Sequence, residues 1–387
     1  MPSLFLTVFV DLVGFGIIVP FLPFFAESFH AAPDEVTLLM TAFSLAQFVA
    51  APLWGRLSDR IGRKPVLAAT LFGLAAAYVW LAFAHSLAEL FAARIFAGLM
   101  AGNIAVASAA AADLSTPEGR PKAMGMIGAA FGLGFLVGPA LGGVLASVRI
   151  SESAIAAPAF AAASLSALAL LLALFLLKES HPKAGASGHG PGRIQSLRET
   201  FAHPGLRIFI VMAFLVPLAF AGVESTMALW TERAFGWGAQ KNGYLFSFLG
   251  LIAVLTQGLL VGRLSRRTSE TTMVVVGSAA GVAGLLLVAL APAFWPAVAG
   301  FGLIVFGVSL ATPAIASLIS RVSAVSVQGT VLGASHAAQA LARIAGPAAA
   351  GALFVAIGPS GPYLFGAALM AILFVLAILR QRTQPPA

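Results

Sequence analysis

The sequence predicts an all-α polytopic membrane protein, built as twelve transmembrane helices in two pseudo-symmetric six-helix halves. Three observations carry that expectation. Hydrophobic residues make up 60% of the 387 and charged residues only 9%. At a mean hydropathy of +0.98 there is too little polar surface to cover a soluble domain. Apolar runs of about 20 residues or more recur, the length a helix needs to cross a bilayer, and the alternating strands of a membrane barrel are not seen. Finally, short motifs of the first half return in the second at nearly one spacing.

Taken in order, the runs place helices at about 4–28, 35–57, 65–84, 88–112, 121–147, 153–177, 205–232, 240–262, 271–291, 295–319, 326–356 and 361–380. The first run begins at Leu4 with no charged segment before it and no small-residue cleavage site. It is therefore expected to be a retained helix and not a signal peptide. The longest polar break runs from Lys178 to Pro204 and contains Gly, Ser, His and Pro. It divides the chain into a bundle at 1–177, a cytoplasmic linker at 178–204 and a second bundle at 205–387. Gly55-Arg56-Leu57-Ser58 recurs as Gly262-Arg263-Leu264-Ser265 at an offset of 207, and Gly138-Pro139 as Gly346-Pro347 at 208. Two matches in register argue for a duplicated unit, the way secondary transporters build a central site with alternating access.

Basic residues set the expected orientation. With both termini in the cytoplasm, 17 of the 22 Lys and Arg fall inside and only Arg149, Arg233 and Lys241 fall in outside loops. That is the positive-inside asymmetry. The net charge of +8 thus follows the membrane topology; no basic helix face or soluble domain is present to hold nucleic acid. Cysteine is absent, which excludes disulfides, thiol catalysis and thiolate metal sites. The six histidines are dispersed, no nucleophile–base or metal-ligand cluster appears, and no ATP-binding loop is present. Neither an enzyme nor a metal or other cofactor is expected, and pumping would have to draw on a gradient.

The rest of the chain is organised around Trp54 to Pro65, which reads as a very short inside loop between the second and third helices. It carries Arg56, Arg60, Arg63 and Lys64 with one acid, Asp59. Gly55 and Gly62 permit close backbone approach, and Pro65 suits the first turn of the next helix. Topology signalling needs no acid, so Asp59 points to a further role.

Polar residues inside the spans are the other candidates. Asp11 lies about eight residues into the first helix, roughly 12 Å from its end. An ionised carboxylate there costs at least ~2.5–3.5 kcal/mol, so it should face a water-filled cavity or exchange a proton, unless it reaches back to water from the helix end. Glu224, in the seventh helix, is either functional or an interfacial acid with a local Ser or Thr partner. His336, Gln339 and Arg343 share one face of the eleventh helix. A stripe with a permanent charge cannot face lipid and must line a cavity or pair with an acid. Gln47, Asn103 and Gln257 fit cavity lining and helix–helix hydrogen bonding equally. Arg94, in the fourth helix, needs a counter-charge or water, and could stabilise the state in which a nearby acid has lost its proton. The fifth helix carries Gly128, Gly132, Gly134, Gly138, Pro139, Gly142 and Gly143. Glycines four apart make a groove for another helix and Pro139 a kink. Tight packing and a surface on which two halves rock are both open readings.

Together these residues resemble the major facilitator superfamily, within it the twelve-helix drug:proton antiporters, and among those the bacterial tetracycline-efflux proteins. The likeness runs through Asp11-x2-Gly14-x-Gly16-x3-Pro20-x2-Pro23, Gly55-x3-Asp59-Arg60-x-Gly62-Arg63-Lys64, Arg94-x3-Gly98 and Gly134-x3-Gly138-Pro139-x2-Gly142-Gly143. It implies the major facilitator fold in a bacterial inner membrane, a monomer, and a small-molecule cargo exchanged for protons. By the same resemblance Asp59 would lie at the amino end of the eleventh helix and Arg63 would pair with Asp113. Gly55, Asp59, Arg60, Gly62, Arg63, Lys64 and Asp113 would then latch the halves. Asp11 and Arg94 would match the family's first-helix acid and its fourth-helix arginine of proton coupling; Glu224, a third proton-coupling candidate as an acid within a span, stands instead roughly where tetracycline-efflux proteins have an uncharged polar residue.

Two departures stand out. The acids that tetracycline-efflux proteins carry in their third and ninth helices are here Ala77 and about Ala280. That points away from a magnesium–tetracycline chelate as cargo. Arg266-Arg267 stand where the first half has Asp59-Arg60, which makes the latch one-sided. The expected activity is proton-driven export of small amphipathic or hydrophobic compounds. The alternatives are a symporter or uniporter of one metabolite on the same fold and, more remotely, a membrane sensor that moves nothing.

Overall fold

The structure is a computed structural model, and it describes residues 1–116, 119–145, 156–180, 204–291, 293–322 and 328–383. The described residues form twelve helices long and apolar enough to cross a membrane. They are α1 Pro2–Ser28, α2 Pro33–Ile61, α3 Arg63–Ala82, α4 Leu87–Asp113, α5 Arg120–Leu145 and α6 Ala156–Leu176. The second set is α7 Pro204–Phe235, α8 Ala239–Leu264, α9 Glu270–Ala289, α10 Phe294–Val322, α11 Gln328–Ala356 and α12 Gly361–Thr383. Most of the linker expected at 178–204 lies outside the described residues.

The clearest correction falls on the Trp54–Pro65 stretch. It is not a loop: α2 stays helical to Ile61 and α3 starts at Arg63, so Gly62 alone separates them. Leu, Arg, Ser and Asp form helix well enough to continue past the apolar segment, and only a residue that tolerates φ of 105° can make so abrupt a break. Gly55 has no role in close approach either, since a Cβ there would meet nothing within 4 Å.

Three spans are interrupted. A turn at 19–21 divides α1 into Pro2–Ile18 and Leu22–Ser28, because Pro20 lacks a donor and Pro23 suits the first turn of the second piece. α4 breaks at Ala101 and Gly102. The carbonyls of Leu99 and Ala101, beside that break, accept from Trp54 Nε1 at 2.6 Å and Gln47 Nε2 at 3.0 Å. Non-helical backbone inside a membrane needs such partners. α8 turns π-helical over Thr256–Val261 and carries Gln257 there, exposed.

Contacts divide the chain into two units: Met1–Ser187 with Gly236–Gly250, and Gly188–Phe235 with Leu251–Ala387. In the first, α1 packs on α5 and α6, and α3 on α4 and α6. In the second, α7 packs on α11 and α12, and α9 on α10 and α12. The same pairings recur six helices apart. Glycines let helices approach closely in both units. Gly16 lies against Gly134 and Gly138 where α1 meets α5, and Gly222 against Gly346 where α7 meets α11.

The offsets also expose an ion pair that comparison of identical residues overlooks. In the first unit Arg63, opening α3, meets Asp113, closing α4, at 2.9 Å. In the second, Glu270 opens α9 and meets Arg321, near the end of α10, at 2.7 Å. Residues 63 and 270 are 207 apart, and 113 and 321 are 208 apart, the offsets of the repeat itself. The second half is therefore not bare: it carries the pair with its charges exchanged. The two are unequal, since the Arg321 side chain is 70% exposed and that of Arg63 only 9%. Arg321→Gln should change stability by only about 0.2–1 kcal/mol, as solvent-screened pairs do. A larger drop in the melting midpoint would show that this pair bears more than its exposure suggests.

Candidate functional site

Each unit holds a polar cluster within its spans. In the first, the close approach of α1 to α6 at Gly14, where a Cβ would lie 3.2 Å from the Ala162 carbonyl, brings Asp11 to Ser166. Ser166 Oγ donates to Asp11 Oδ1 at 3.3 Å, and Asn103 Nδ2, opening the second segment of α4, donates to Oδ2 at 3.2 Å. Asp11 is 9% exposed, so it does not reach back to water from the helix end. Tyr78 on α3, also buried, stands within electrostatic reach of both Asp11 and Arg94. Arg94 is buried and lies 4.3 Å over the Phe43 ring.

In the second unit Arg343 of α11 stands within electrostatic reach of Glu224 of α7. His336, Gln339 and Arg343 share the α11 face, with Gln339 Nε2 donating to Ser335 Oγ at 3.2 Å. Glu224 thus stands with Arg343, in a different unit from Asp11 and Arg94. Gln47 and Asn103 both make helix–helix hydrogen bonds.

Arg63 is held by several partners at once. Nη1 reaches Asp59 at 2.6 Å and donates to Ser58 Oγ at 2.6 Å, while Nε reaches Asp113. The backbone is fixed as well. Glu179, just past α6, accepts from the Arg63 N–H at 2.8 Å and the Lys64 N–H at 3.1 Å, satisfying donors that every helix start leaves open. Arg56 and Arg60 are exposed. The contact implied between Asp59 and the start of the eleventh helix falls partly on residues 323–327, outside the described residues.

On α5, Gly134, Gly138 and Gly142 face α1, where a Cβ would press on Leu12, Val13, Gly16 and Ile17. Gly143 instead meets Gln240 and Gly243 of α8, and the Pro139 carbonyl also lies against Gly243. Close packing is therefore the direct role of these glycines. Reading the sequence missed Tyr78, Ser166, Glu179 and the Glu270–Arg321 pair. Only the last left a signal, in the repeat offset.

Twelve apolar spans with an acid inside the spans of each unit define a multi-pass membrane transporter. The chain belongs to the Major Facilitator Superfamily, whose family model matches residues 4–347. It is 32% identical to the tetracycline resistance protein, class C, of Escherichia coli, over 95% of this chain and 93% of that one. It is 33% identical to the class G protein of Vibrio anguillarum, over 97% and 96%. Among solved structures it is similar to the human organic anion transporter MFSD10 (TETRAN), with a TM-score of 0.74, 27% identity, and coverage of 97% and 98%. The family and fold are those of transporters of small molecules, not enzymes.

Proposed function

We propose that the chain is a proton-coupled antiporter that exports small amphipathic or hydrophobic compounds across a bacterial inner membrane by alternating access. The observation that carries this reading is Asp11. It is a carboxylate inside a span, held by the neutral donors of Asn103 and Ser166, and no ion pair includes it among the described residues. Such an acid can gain or lose a proton without breaking a salt bridge. Glu224 is the second candidate, with Arg343 able to hold its charge after the proton has left. Similarity to tetracycline resistance proteins supports drug export, and similarity to the human organic anion transporter keeps acidic amphipaths in the cargo class.

Flux of an amphipathic dye in everted membrane vesicles under an imposed proton gradient tests it. Wild type should accumulate dye only while the gradient lasts. Asp11→Asn should abolish that dependence, and Glu224→Gln should weaken it. Uptake of a metabolite together with protons, and no outward movement of any dye, would reverse the assigned direction and sink the antiporter reading.

A further inference from the structure

Arg94 carries a permanent charge into the first unit and pairs with no anion among the described residues. It is 3% exposed, and both Nε and Nη1 are buried without a hydrogen-bond acceptor. Those two atoms hold three N–H donors. Among the described residues no ion pair includes Arg94. Phe43 covers one face of the guanidinium at 4.3 Å, which attracts a cation but offers no acceptor in the plane of the fork. Asp11 does not serve: its oxygens accept from Asn103 and Ser166, and no ion pair or hydrogen bond joins it to Arg94 among the described residues. A buried charge with no partner is among the least tolerable features of a folded protein, so a site that keeps one is built for something that arrives.

We propose that the missing partner is the acidic group of the cargo: Arg94 binds the carboxylate of an amphipathic organic anion. This rests on the transport reading above and names a cargo class for it. A guanidinium stays charged at any working pH and matches the two oxygens of a carboxylate. The apolar body of the anion has a surface to lie on. Phe43 packs 5.4 Å from Phe15, and Phe15 packs 5.9 Å from Phe135, so aromatic surface runs from the guanidinium across α1 to α5.

Binding to the full-length protein in lipid nanodiscs tests this with 2-naphthoate and its neutral analogue 2-naphthamide. Wild type should bind naphthoate about tenfold or more tightly, as expected for a hydrogen bond to a charged group. Arg94→Gln should erase the difference, and Arg94→Lys should keep part of it. Naphthoate should raise the melting midpoint of wild type and leave that of Arg94→Gln unmoved. Without ligand, Arg94→Gln should melt no lower than wild type, because it removes an unpaired charge. A clearly lower midpoint would mean that Arg94 already has an internal partner, and would overturn the proposal. So would equal binding of the two probes by wild type, or a preference that survives in Arg94→Gln. A protein that exports neutral dye with the gradient yet ignores naphthoate loses only the cargo class. One that binds naphthoate through Arg94 but drives no gradient-linked flux upholds the site and sinks the antiporter reading.

Discussion

A single methyl group added at Gly138 is expected to destabilise the protein by about 1–3 kcal/mol or more, in the range of overpacked cores. The new Cβ would sit 2.6 Å from the Val13 carbonyl oxygen and 2.8 Å from Gly16 Cα. Both are backbone atoms of α1, so no rotamer change relieves the contact. α1 and α5 would have to separate along a face where Gly134 and Gly142 also touch. Gly128→Ala on the same helix is the control, since a Cβ there meets nothing within 4 Å. It should be neutral or slightly stabilising through helix propensity. Thermal melts of the two purified variants in one detergent decide the matter. Equal midpoints for Gly138→Ala and wild type would show that the seam yields, and that close packing is not why glycine stands there.

The second large effect is expected at Arg63. Arg63→Gln removes a cation that is 9% exposed and serves Asp59, Ser58 and Asp113 together. Breaking a fully buried pair costs about 3–5 kcal/mol. Here the acids keep side-chain exposures of 40% and 26%, so water compensates part of the loss and about 1–3 kcal/mol is the expected range. Arg63→Lys should be intermediate, because one ammonium lacks the fork that spans three partners. Reversing the pair, with Arg63→Asp and Asp113→Arg combined, should recover part of what either reversal loses alone. A double-mutant cycle on melting midpoints measures that coupling. A coupling near zero would mean that Arg63 acts through Asp59 and Ser58, and that Asp113 is incidental.

Much of the fold could be read directly because bilayer thickness sets helix length, and apolar runs report it. The twelve spans start and stop within a few residues of their expected places. The misreading at Trp54–Pro65 has a definite cause. Charge marks where a chain leaves the membrane, not where it stops being helical: Arg56, Asp59 and Arg60 all lie on α2, which runs to Ile61 and ends only at Gly62. The site was less legible. Asp11 and Arg94 announced themselves as charges where charge is expensive. Their surroundings did not: Ser166 lies 155 residues from Asp11, and a serine in an apolar helix signals nothing until packing delivers it. Tyr78 read as one more apolar residue of its span. Gln47 was visible, but its role depended on a helix break that no run of letters marks.

The exchanged pair bears on how readily each half tolerates a change of sign at this contact. Pairs joining the same helix ends with opposite polarity cannot interconvert by single substitutions unless a stage with two like charges or a neutral member is survived. Arg321, open to solvent, sits where such a stage is mild; Arg63, enclosed with three partners, sits where it is severe. A change of sign is therefore expected to cost less at the second-half contact than at the first. A letter-by-letter alignment of the halves scores the two positions as unrelated, although each joins the same pair of helix ends with the signs of the charges exchanged.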